Sequence, residues 1–280
     1  MKNLLVLIFF FSIIACQKNT PDKPNKEGYP QKIAMVNNDF NDYWYAGKGE
    51  ITSYDLQQSR YGEIHKGKGT FIFVTEPFSK NKQVKLDYPD ANSKDNVSVL
   101  KLNATRKFNT GIYPYSTIQS IFTPIQLEAH PNTLKVSTSS QEWCGHTFEQ
   151  LNLKSNHYDH QLFSYFESEG DISNKLEKTW LEDELFNRIR IQPESLPTGD
   201  LKIIPGTLFS RFRHIPLKTE KATASLEKGT TDGQMAYKIT YPELGRTLTI
   251  NFQKEFPFII ESWEEMDHRN PDLILSLIHI

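Results

Sequence analysis

The sequence is poor in the features that usually hold a small exported domain together or announce an enzyme. Only two cysteines occur in 280 residues, Cys16 and Cys144, so no network of disulfides can staple the fold. Neither sign of charge is in excess, with 32 Lys and Arg against 34 Asp and Glu. That balance gives no support to nucleic acid or an anionic lipid surface as a partner. Beyond the first sixteen residues no apolar run reaches membrane-spanning length. The phosphate loop G-x-x-x-x-G-K-S/T, the dinucleotide turn G-x-G-x-x-G, H-E-x-x-H, G-x-S-x-G and C-x-x-C are all missing. No cofactor is implied. What is left to hold the chain is its core, and aromatics at 12% supply more than a minimal core needs.

What is present begins with a targeting signal. "MKNLLVLIFFFSIIAC" carries one basic residue, Lys2, then an apolar run from Leu4 to Ile14 that closes on Ala15-Cys16. The run is too short to span a bilayer and suits the apolar region of a signal peptide. A small residue before a cysteine at its end resembles a bacterial lipobox. That resemblance implies cleavage before Cys16 and lipidation of its sulfur and amino group. Gln17 follows, with no aspartate beside the cysteine, which points to the outer membrane of a cell envelope. Residues 17–40 are rich in Lys, Asn, Pro and Asp and read as a flexible tether. About 22 such residues reach roughly 25 Å, so the folded part should stay in water near the membrane that holds its lipid. Residues 41–274 then form one domain. The last six, "LSLIHI" (275–280), match the translation of a transposon end used to fragment DNA, and the fold reading sets them aside.

Within the domain the dominant period is two. Met235, Tyr237, Ile239 and Tyr241 alternate with smaller or polar residues, "PELG" turns, and Leu248, Ile250 and Phe252 alternate again. This is a β-hairpin pattern. Runs at 68–78, 96–108, 112–125, 133–140, 160–171 and 256–265 extend the series, with Asn109-Thr110-Gly111 supplying one turn. One segment, about 174–191, instead spaces Leu181, Leu185 and Ile189 by four, with Asn174 and Glu177 as a capping-box start and Pro193 beyond the end. The expected fold is therefore mainly β: a large, curved antiparallel sheet, open barrel or sandwich, with one amphipathic helix packed on it or plugging an end.

Several stretches invite chemistry. In "SSQEWCGHTF" (139–148), strand alternation puts Glu142, Cys144 and His146 on one face. Residues two apart along a strand are roughly 6.5–7 Å apart, so a thiolate–imidazole pair needs a bulge at Gly145. With it, Cys144 and His146 would be nucleophile and base and Glu142 the orienting group. Without it, Cys144 is an ordinary buried thiol. Cys144, His146, His157 and His160 are all zinc-ligand types, yet His157 and His160 fall on opposite faces of a regular strand. Glu182, Asp183 and Glu184 point about 100° apart on a helix and read as a solvated face. Arg211 and Arg213, on one strand face, could hold an anion. Trp44 and Tyr45, in a tyrosine-rich stretch (43–63), could line a ligand groove or close the sheet edge.

Three stretches, 43–79, 139–152 and 181–206, together resemble a family of exported lipoproteins from Bacteroidetes whose members often carry the label "septum formation inhibitor Maf". The lipobox fits the same picture. The Ser-x-Arg-Arg motif of the cytoplasmic pyrophosphatases that properly bear that label is absent, so no catalytic residue is carried over from them. Taken together, these features favour a non-catalytic, membrane-anchored module binding an apolar or lipid-like molecule or an envelope protein. A hydrolase built on Cys144 and His146 is the rival.

Overall fold

The computed structural model describes residues 38–268 and 274–279. Cys16 and nearly all of the expected tether lie outside the described residues. A short helix, α1 (Asn38–Trp44), opens the domain, a few residues before the expected boundary.

Eight strands follow as an up-and-down meander: β1 (Glu50–Arg60), β2 (Glu63–Ser79), β3 (Asn96–Thr110), β4 (Tyr113–Pro124), β5 (Lys135–Gln141), β6 (His146–Leu153), β7 (His157–Phe163) and β8 (Ile172–Glu177). A two-residue strand, β9 (Trp180–Leu181), leads into helix α2 (Leu185–Ile191). Next come β10 (Gly199–Ile204), helix α3 (Thr207–Arg213), and a second meander of β11 (Glu220–Lys228), β12 (Gln234–Tyr241), β13 (Arg246–Gln253), β14 (Ile260–Asp267) and β15 (Ile274–His279). All fifteen strands belong to one sheet, in which β1 and β15 are neighbours and β8 and β9 are the two edges. Every ladder is antiparallel except the short β9–β10 pair. Strand β15, which coincides with the segment set aside from the sequence reading, pairs with both β14 and β1.

The connectivity forces the sheet to curl. Its two edges are separated by only Lys178 and Thr179, and three Cα–Cα steps span at most about 11 Å. Thr179 Oγ1 donates to the Lys202 carbonyl at 2.7 Å and Lys202 Nζ lies 3.3 Å from Glu177, which ties the edges across the seam. The result is barrel-like, and residues from both meanders share one interior cluster: Leu100, Leu102, Val136 and Tyr158 from the first, Tyr237, Ile239 and Ile250 from the second, with Ile203 of β10 beside them.

The alternation read from the sequence is real. On β1, Thr52, Tyr54, Leu56 and Gln58 are buried while Ile51, Ser53, Asp55 and Gln57 are exposed. The hairpin expected at 235–252 forms around Pro242–Gly245, with Gly245 N bonded to the Pro242 carbonyl at 3.1 Å.

The helix expected over 174–191 is corrected. Its first part is edge strand β8, and helix proper covers only Leu185–Ile191 after a 3₁₀ turn at Glu182–Glu184. Asn174 and Glu177 cap nothing. It is Glu184 that reaches back, its Oε1 accepting from Leu181 N at 3.3 Å. The acidic triplet is also corrected from a solvated face: Glu182, Asp183 and Glu184 are all buried. The whole segment lies inside the barrel, where Leu185 and Ile189 join the core and Arg188 and Arg190 are buried with it.

Asn187 pins this inserted helix to the wall. Fully buried, its Nδ2 is shared among the Leu100 carbonyl at 2.9 Å, Thr123 Oγ1 at 3.0 Å and the Ile121 carbonyl at 3.3 Å. Removing a buried donor strands its acceptors at a cost of about 1–3 kcal/mol. Asn187→Ala is therefore expected to lower the unfolding free energy by about 2 kcal/mol or more in urea titrations followed by tryptophan fluorescence. A change within about 0.5 kcal/mol, the range of inert surface substitutions, would remove this pin from the account.

Candidate functional site

Because the strands alternate in direction, the β1–β2, β3–β4, β5–β6 and β7–β8 turns gather at one end of the barrel, and α3 sits in that end. The cavities there are lined jointly by residues of these turns and of α3. Exposed aromatic and aliphatic tips rim it: Tyr61, Ile112, Trp143 and Tyr165.

The site is built from charged residues that occupy the buried phase of their strands. Arg60 follows Leu56 and Gln58 on β1, Arg106 follows Leu102 and Ala104 on β3, and Arg246 precedes Leu248 and Ile250 on β13, each at spacings of two. Their charges meet carboxylates inside. Arg246 Nη2 lies 2.8 Å from both Glu182 Oε1 and Glu265 Oε2, and Arg106 Nη2 lies 3.6 Å from Glu265 Oε1. Gly206 makes room for this approach, since a Cβ there would sit 2.6 Å from Glu182 Oε1. Burial acts to lower the Arg246 and raise the Glu265 values. The pairing wins on both, so Arg246 is held above its ordinary value and Glu265 below its own. Arg106 goes the other way: its burial outweighs Glu265, and its value falls.

Asp183, beside this cluster, has no cation within ion-pair distance among the described residues. It accepts from Thr207 N at 3.1 Å, Thr207 Oγ1 at 2.8 Å and Gln119 Nε2 at 3.1 Å. Burial first, and the neighbouring Glu182 charge second, push its carboxyl up to about 7 against the pull of those hydrogen bonds.

Between this cluster and the rim lies a cavity of about 120 Å³, whose wall includes Arg60, Arg106, Arg213, Arg246, Glu265 and Asp267. A much smaller one on the far side of Arg60 shares Arg60 and Phe212 with it. Arg60 differs from the other cations of the first cavity. Among the described residues it faces no carboxylate within ion-pair distance, whereas Arg213 pairs with Asp267 at 2.5 Å. Its guanidinium stands 4.5 Å from the Tyr61 ring, 5.3 Å from Phe212 and 5.8 Å from Tyr115. One nitrogen, Nη1, donates to the Phe212 carbonyl at 2.5 Å, and Nε is buried without a partner.

The residues singled out from sequence fall elsewhere or play other parts. Glu142, Trp143, Cys144 and Gly145 form the β5–β6 turn, closed by Glu142 N to the Gly145 carbonyl at 3.1 Å. The single-face strand reading of Glu142, Cys144 and His146 is corrected accordingly, and so is the buried thiol, because Cys144 is exposed. Its Sγ touches the Tyr113 hydroxyl, a contact that with burial pushes Tyr113 up to about 12. His146 instead bonds Ser139 Oγ at 2.7 Å, and Glu142 accepts from Cys144 N at 2.9 Å rather than orienting the imidazole. Gly145 does not bulge. A Cβ there would meet the Tyr165 ring at 2.5 Å, so it is the close approach of Tyr165 that the glycine permits.

The four zinc-type residues are scattered. Cys144 and His146 are exposed at the rim, His157 sits at the opposite end of β7 against Asp159, and His160 is buried between Glu149 and Asn174. Among the described residues no group of three or more His, Cys, Asp or Glu is placed to hold a metal ion. Arg211 and Arg213 lie on helix α3, not on a strand, and each is paired separately, with Glu169 and Asp267. Trp44 and Tyr45 close the core. Trp44 is buried against Phe73 and under the Arg190 guanidinium, and Tyr45 bonds Ser98.

Fold and site together define an antiparallel, barrel-like β protein with a charged segment threaded into its interior. No protein-family model matches the chain, and no curated protein matches it. Among solved structures it is similar to the crystal structure of a beta-barrel-like protein of domain of unknown function DUF1849 from Brucella abortus, at 7% identity and a TM-score of 0.47, over 82% of this chain and 94% of that one.

Asp183 makes stability depend on pH with a defined sign. Its folded value near 7 lies above the ordinary carboxyl value of 3.8, so between these pH values the folded state keeps a proton that the unfolded chain has released. Stability from this residue is therefore highest at low pH and falls as pH rises toward 7, by an amount on the order of 4 kcal/mol. Asp183→Asn should melt well above the parent chain at pH 8, and the two should converge near pH 4.5 in calorimetric scans. A difference that does not vary with pH would show that Asp183 is not the titrating group.

Proposed function

We propose that this chain is a non-catalytic ligand-binding module of the cell envelope, held to the outer membrane by a lipid on Cys16, and that its ligand is a small carboxylate- or phosphate-bearing molecule bound at Arg60. The observation that carries the reading is the state of that guanidinium. It lines two cavities, keeps an unneutralised charge, and is braced by Tyr61, Phe212 and Tyr115. A cation fixed in place and lacking a counterion is the element that an acidic ligand completes. The cavity wall supports this sign, with four arginines against Glu265 and Asp267.

The apolar ligand expected from the aromatic content is replaced in this reading. The aromatics face one another: Phe71 stacks on Trp263 at 4.5 Å, and Tyr54 meets Trp263 edge-on at 4.9 Å. The interior they line is filled by α2 and by the ion pairs around it. Catalysis by Cys144 and His146 has no support in the placement of either side chain, since neither bonds the other.

Titration calorimetry of the full chain in detergent with inorganic phosphate, acetate and citrate tests the proposal. At least one is expected to bind, and Arg60→Gln should weaken it by about tenfold or more, as loss of a charged hydrogen bond does. Arg60→Lys should recover part of the affinity. Anion binding that is equal in wild type and Arg60→Gln, or no binding by any of the three, would overturn it.

A further inference from the structure

On the other side of α3, between β6, β7 and the β7–β8 loop, lies a second cavity of about 120 Å³. It shares no residue with the first cavity, and it shares Arg211 and His214 with the smaller one on the far side of Arg60. Three of its wall residues carry buried polar atoms without a hydrogen-bond partner: Glu149 Oε2, Ser210 Oγ and Arg211 Nε. These side chains are 4%, 3% and 6% exposed. Leaving a buried polar group unsatisfied is costly, and native structures keep few of them. Three on the wall of one cavity mark it as a place built to be completed.

Charge and valence define what completes it. The two carboxylates of the wall are already engaged: Glu149 Oε1 faces His160 Nε2 at 2.8 Å, and Glu169 takes both Arg211 and His214 Nδ1, the latter at 2.6 Å. Glu169 is thereby paired with Arg211, and Glu149 keeps one oxygen open. The remaining capacity is one acceptor (Glu149 Oε2), one donor (Arg211 Nε) and one hydroxyl able to do either. Neighbouring hydroxyl groups on a neutral molecule, each both donor and acceptor, match that set. Carboxylates and ammonium ions offer only one half of it. At about 30 Å³ of liquid volume per water, the cavity of about 120 Å³ takes roughly four groups of that size, the scale of one edge of a sugar ring with its adjacent hydroxyls. His214, on the wall, is itself held edge-on by Phe166 at 4.8 Å.

We propose that this cavity is a binding site for one edge of a neutral polyhydroxylated ligand of monosaccharide size, with Glu149, Ser210 and Arg211 as its polar contacts. This goes beyond the anion site and does not rest on it. The test is titration calorimetry of the full chain with methyl glucoside, mannose, galactose and myo-inositol, with inorganic phosphate as the contrasting probe. At least one neutral polyol is expected to bind. Glu149→Gln should weaken that binding by about tenfold or more, and Ser210→Ala by a few-fold, the scale of single hydrogen bonds. Among the described residues Arg60 meets this wall only through His214, at 3.5 Å, so Arg60→Gln should weaken polyol binding less than Ser210→Ala does. Ser210→Ala removes one small group and keeps the proposal decidable if Glu149→Gln lowers the melting temperature too far to be titrated. No binding by any of the four polyols, binding unaffected by Ser210→Ala, or phosphate displacing the polyol would each overturn the proposal. Loss of phosphate binding in Arg60→Gln with polyol binding retained separates this site from the anion site.

Discussion

Charge neutrality inside the curled sheet is the constraint from which the rest of this structure follows. The segment from Glu182 to Arg190 enters the interior carrying three acids and two bases, all buried. An unpaired ion there would cost several kcal/mol, so each charge must be answered. The walls answer two of them in sequence-distant pairs, Glu182 with Arg246 of β13 and Arg190 with Glu50 of β1, while Glu184 and Arg188 meet within the segment, one helical turn apart. Arg246 also holds Glu265, and Glu265 holds Arg106. These pairs join both meanders to the same inserted segment. They add little net stability over an apolar core of equal volume, but they penalise every register in which one partner is missing. The segment 182–190 therefore acts as a key that both meanders must fit at once.

The one acid of this segment that meets no cation within ion-pair distance among the described residues shows how tight this accounting is. Asp183 is satisfied by hydrogen bonds from Thr207 and Gln119 alone, and its value rises to about 7. Its contacts are also what seat α3, because Thr207 begins that helix and its hydroxyl bonds Thr138 on β5 at 2.6 Å. Protonation of Asp183 thus bears on the helix that separates the two cavities. Asp183 with Thr207 links interior charge to the open end, as Glu182 does through Arg246 on the cavity wall.

Much of the fold was legible because period-two alternation survives wherever a strand has one wet face. The hairpin at 235–252 and the runs at 68–78, 96–108 and 112–125 all form strands. The edge strand β8 was hidden because Ile172–Glu177 buries only Leu176 fully, so it shows no alternation, and Asn174 with Glu177 imitates a cap. The acidic triplet misled for a related reason. Helical spacing says which way side chains point but not whether water or an arginine is there to meet them. Local sequence does not reveal the turn of only Trp143 and Cys144 between the paired residues Glu142 and Gly145, which takes Cys144 off the strand that begins at His146.

The site residues themselves carried a signal that polarity obscures. Arg60, Arg106, Glu149, His160, Arg246 and Glu265 all lie two residues from buried apolar or polar neighbours, in the inward phase of their strands. A charged residue at such a position has only two stable outcomes, a partner inside or a ligand. Arg106, His160, Arg246 and Glu265 found partners in the protein. Arg60 found aromatic rings and a carbonyl, and Glu149 found a partner for one oxygen only. The in-phase charges that the fold leaves incompletely answered are therefore the ones beside the two cavities that flank α3. Binding capacity in this molecule is what remains when interior neutralisation stops short at the end of the barrel.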